Sequence, residues 1–165
     1  MLAALLWNMG LKDPRHHGWW TSLNPVTPAH AQRAKWDDVG DWEIYGGTND
    51  KVCIAITHYV AGDTYLSIGV GHNDVSLMID SPRVVGAVGS HREHNVMVSS
   101  GEMGSFSGII TDEGTISFRD LPKDTIMLMA RADSIIIQGL GHFSLADSAG
   151  AMRSTMECFI AQNST

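Results

Sequence analysis

Between Lys51 and Ile79 the chain runs KVCIAITHYV, then AGD, TYLSIGV, GHND and VSLMI. Three short segments rich in β-branched and aromatic residues follow, the first two closed by glycine-bearing turns and the third by Ser81-Pro82, the pattern of consecutive antiparallel strands. A helix would need apolar residues at three- and four-residue intervals over ten or more positions, and the turns interrupt every such run. TYLSIGV and VSLMI, joined by GHND, form the clearest hairpin signal in the sequence.

The flanking segments extend the same theme. DWEIY from Asp41 to Tyr45 alternates polar and apolar residues and predicts an opening strand, with the turn cluster GGTND at 46–50 behind it. The glycine-interrupted stretch Arg83 to Ser90 supports no assignment. Asn95 to Ser99 predicts a strand, and Phe106–Thr111 with Thr115–Phe118 predicts a second hairpin across Asp112-Glu113-Gly114. Pro122 suits the first turn of a short helix over 123–131. From Ser134 an apolar run, a glycine-marked turn and a short strand around 142–145 lead into a closing helix. Asp147 or Ser148 is placed to cap it with a side-chain oxygen. Ala149, Met152, Met156, Phe159 and Ile160 make one apolar stripe, Arg153, Ser154 and Glu157 lie opposite, and Cys158 borders the stripe.

This order predicts a mainly β fold, an antiparallel β-sandwich or partly closed barrel. One short helix near 123–131 and a C-terminal helix packed on the sheet complete it. At 165 residues a single domain is expected, spanning 32–165 behind a distinct segment 1–31. The 44% hydrophobic content supports a real core. The net charge of −7, with no basic cluster, argues against nucleic acid and against an anionic membrane surface, both of which call for a positive patch.

The first 31 residues fit two descriptions. MLAALLW is far shorter than the ~20 apolar residues of a transmembrane span, so no such span is expected. It also lacks the basic start of a secretory leader, yet Ala29-His30-Ala31 supplies an A-x-A pattern after a proline-marked break. The segment is therefore either a degenerate export signal or an irregular arm whose Trp7, Trp19 and Trp20 anchor a partner, as aromatic residues often do at interfaces.

Chemical motifs are sparse. His91 and His94, with Glu93 between them, are the metal candidates, since a spacing of three would place both on one face of a helix. A hydrolase built on them would need a remote His58 or His72 as third ligand. Gly139-Leu140-Gly141 is half of a dinucleotide fingerprint, but a strand follows where the helix should open, so no cofactor is expected. Neither Gly89-Ser90 nor Gly104-Ser105 has the setting of a nucleophile elbow. Asp112 and Glu113 suit a solvated hairpin tip. Cys53 and Cys158 lie far apart in the chain and match no CxxC pattern. They are either two buried thiols or one disulfide joining an early strand to the final helix, a link that would add about 4–5 kcal/mol.

Taken together, DWEIY, a turn, KVCIAITHY and later SIIIQGLGHFSLADSAGAMRSTMEC resemble the small exported bacterial proteins of the invasion-associated locus B type. Ser144-Leu145, Ser148, Ala151-Met152 and Cys158 follow that family's tail, while Asp147 stands where glycine is common and residues 80–120 match nothing in it. The resemblance covers about half the chain. It implies an exported β-rich envelope protein with a structural disulfide and offers no catalytic residues. The leading expectation is accordingly a non-enzymatic binding or accessory protein of the cell envelope, periplasmic or secreted, whose partner is a protein or another envelope component. The alternatives are a metal-dependent hydrolase using His91 and His94, a structural subunit docked by its tryptophan-bearing arm, and a cytoplasmic location.

Overall fold

The computed structural model describes residues 33–47, 51–72 and 74–164. Among the described residues ten strands and two helices follow one another: β1 (Ala34–Val39), β2 (Trp42–Gly46), β3 (Cys53–Tyr59), β4 (Thr64–Val70), β5 (Val75–Asp80), β6 (His91–Val98), β7 (Gly101–Asp112), β8 (Thr115–Leu121), α1 (Thr125–Arg131), β9 (Ser134–Ile137), β10 (Gly141–Ser144) and α2 (Ser148–Asn163). All strands pair antiparallel in one sheet of order β1-β2-β3-β4-β5-β8-β7-β6-β9-β10. The first five form a simple meander. The next three then enter in reverse, because residues 81–90 carry the chain past the ends of β8 and β7 before β6 begins. The sheet is mainly β and antiparallel as expected, and it stays open, with β1 and β10 at its edges.

Strand alternation decides which side chains meet. Trp42 and Ile44 of β2, Cys53 and Ala55 of β3, Leu66 and Ile68 of β4, and Leu77 and Ile79 of β5 point to one face, where they join Ile116, Phe118, Ile110, Val96, Ile135 and Ile137 from the second half. Met129 of α1 and Met152 of α2 belong to the same core cluster. The two ends of the sheet are drawn together by side chains rather than by strand pairing. Trp42 Nε1 donates to the Ala146 carbonyl at 2.8 Å, the Tyr59 hydroxyl donates to the Ser144 carbonyl, and Arg83 Nη1 donates to the Leu140 carbonyl at 3.1 Å. Burial holds the Tyr59 phenol above its ordinary pKa, which keeps this hydroxyl a donor. No helix among the described residues is long and apolar enough to cross a membrane.

The closing helix forms where the sequence predicts it, with its buried face rotated: Met152 of the expected stripe is in the core and Met156 and Phe159 are half-buried against it. Ser148, Ala151, Met152, Ser154, Thr155 and Cys158 are buried, whereas Ala149 is exposed and Ile160 is 57% exposed. Small side chains let α2 approach β1, β2 and β3 closely, and their hydroxyls are satisfied there. Ser154 Oγ donates to Asp37 Oδ2 at 2.7 Å, Thr155 Oγ1 to the Ala151 carbonyl at 2.7 Å, and Ser148 Oγ to the Met129 carbonyl at 2.8 Å. The expected side-chain cap is not made. Asp147 occupies the cap position with φ 61° in the left-handed region, the conformation that glycine adopts most easily, and its carboxylate sits over Gly40. A Cβ at Gly40 would lie 2.1 Å from Asp147 Oδ2, so this turn between β1 and β2 accepts only glycine while α2 stays in place.

Candidate interaction surface and the buried disulfide

Cys53 opens β3, and Cys158 lies on the buried side of α2. Their sulfurs are bonded, with Cα atoms 6.1 Å apart and both residues 0% exposed. Of the two states left open by the sequence, the bridge is the one formed. A disulfide so enclosed is out of reach of an attacking thiolate, which needs access to a sulfur, so its work is to hold the helix on the sheet. Gly46, paired with Cys53 across β2 and β3, makes room for this contact. A Cβ there would come within 3.2 Å of Cys158 Sγ.

The histidines named as metal candidates do not come together. Both lie on β6, where side chains alternate, so a spacing of three sends them to opposite faces of the sheet. His91 Nδ1 is 3.5 Å from Ser107 Oγ across the strand pair. His94 Nδ1 is 2.7 Å from the Gln138 carbonyl, and its ring stands edge-on to Phe118 with centroids 5.7 Å apart. The helical geometry that would have aligned the pair is absent because the segment is a strand. His58 stacks on Tyr65 at 4.1 Å beside the β3–β4 turn, with Nε2 3.4 Å from Asp63 Oδ1, and His72 lies in the turn after β4. Among the described residues no three His, Cys, Asp or Glu side chains converge to hold a metal ion.

Gly139 and Gly141 both take positive φ in the tight turn joining β9 to β10, and Leu140 between them is buried, which accounts for the Gly-x-Gly pattern structurally. Glu113 and Gly114 make the tip of the β7–β8 hairpin, with Asp112 paired to Thr115. Trp7, Trp19 and Trp20, together with the candidate export segment 1–31, lie outside the described residues.

One end of the sheet carries the most exposed large apolar side chains among the described residues. Val60, 82% exposed, leads the turn between β3 and β4, and Val85 and Val88, 75% and 64% exposed, lie on the crossing segment 81–90. These pieces are fixed to one another and to the sheet. Thr64 Oγ1 donates to Ser81 Oγ at 2.9 Å, the Ser81 amide to the Gly114 carbonyl at 2.8 Å, and the Gly89 amide to the Ile110 carbonyl at 2.7 Å. Val84 turns inward and joins the core, anchoring the segment while its two neighbouring valines face out. Arg83 lies on the crossing segment and Arg92 follows it on β6, and Asp63, Asp112 and Glu113 stand at the same end of the sheet. Apolar side chains held outward on pinned loops favour docking to another surface. Covering a valine fully contributes about 1.5–3 kcal/mol. This end has no periodicity in the sequence; its mark is the run PRVVGAVG, whose valines stand among glycines with no charged residue after Arg83.

No protein-family model, no curated protein and no solved structure matches the chain.

Proposed function

We propose that the chain is a non-enzymatic accessory module of the cell envelope, exported to the periplasm or beyond, related to the invasion-associated locus B type, and that it binds a protein or other envelope component. The observation that carries this reading is the buried Cys53–Cys158 bridge. Structural disulfides persist in oxidising compartments and are rare in the cytosol. The bridge also joins two of the segments that carry the resemblance, the strand KVCIAITHY and the stretch SAGAMRSTMEC of α2. The valine-bearing end of the sheet is the contact surface in this reading, because its side chains are apolar, exposed and fixed in position. Residues 1–31 act as the export segment, removed after Ala31.

Fractionation of cells producing the full chain, followed by intact-mass and thiol analysis of each fraction, tests the proposal. The expected product lies in the envelope or medium, begins at Gln32 and has both cysteines resistant to alkylation under denaturing conditions. A cytosolic product retaining residues 1–31 with two alkylatable thiols would refute it.

A further inference from the structure

We draw no further inference here: the strongest candidate, the cross-strand pair Met97 and Ile136 on the outward face of β6 and β9, is an unpartnered apolar patch and nothing in the structure shows what covers it.

Discussion

Replacing both cysteines, as Cys53→Ala/Cys158→Ala, tests how far the fold depends on its single covalent cross-link. The bridge spans a sequence separation of 105 residues, and a closed loop of that size restricts the unfolded chain by about 4–5 kcal/mol in the loop-entropy description. Both side chains are fully enclosed, so loss of the two sulfurs from their packed sites adds about 1 kcal/mol. A domain of this size has about 5–15 kcal/mol in hand, so a loss of about 5–6 kcal/mol takes a third of that margin or more. Guanidinium titration followed by circular dichroism measures this directly. The variant's midpoint should fall sharply while its native far-ultraviolet spectrum is kept, and its m-value should rise as the unfolded chain expands. A loss below about 1 kcal/mol would refute the reasoning. It would mean that the contacts of α2 alone, including Ser154 to Asp37 and the core packing of Met152, already determine where the helix sits.

Gly108→Ala should destabilise by about 1–3 kcal/mol, the usual cost of overpacking, because the new methyl would lie 2.7 Å from Ile116 Cγ1 and 2.9 Å from Phe118 Cε1; thermal melting checks it. Above pH 10 stability should decline. Partial burial raises the Tyr59 phenol above its ordinary pKa of about 10, so the unfolded chain releases its proton first; the contribution is complete below pH 10 and is lost as pH climbs towards the raised folded value. Tyr45 is raised in the same sense, so Tyr59→Phe should flatten the alkaline slope of a denaturation series without abolishing it, and an unchanged slope would contradict the assignment. Val85→Asp/Val88→Asp should leave the melting temperature within a few degrees, since both side chains face solvent, yet release the protein from the envelope fraction on washing; undiminished retention would rule out this end as the contact surface.

How much of this was legible depended on whether local pattern and packing agreed. From Cys53 to Asp80 they did, because alternation, β-branching and glycine turns all specify the same meander. β1 has no local signature because nearly all its residues are exposed and a bulge between Lys35 and Asp37 breaks the alternation; only pairing with β2 makes it a strand. His91 to His94 are four polar residues in a row with no period to mark a strand, yet they open β6 and that parity separates the two imidazoles. The helix at 148–163 is legible and its buried face only in part: Met152 is buried and Met156 and Phe159 half-buried, while Ala149 and Ile160 face out. An apolar stripe was the natural choice, but close approach to three strands and a bridge at Cys158 turn the serine, threonine and alanine side inward. Nothing local could reveal that β5 pairs with β8 rather than β6, because that choice is made by a segment without period.

The reversed entry of β6, β7 and β8 has a consequence for how the chain is made. β1 to β5 can associate as they emerge, but the free side of β5 finds its partner only when Thr115–Leu121 has been synthesised. Throughout that interval Val75, Leu77 and Ile79 border an unpaired strand rim, which is an invitation to other nascent chains. Helix α2, bringing Cys158 to Cys53, then seals the finished sheet.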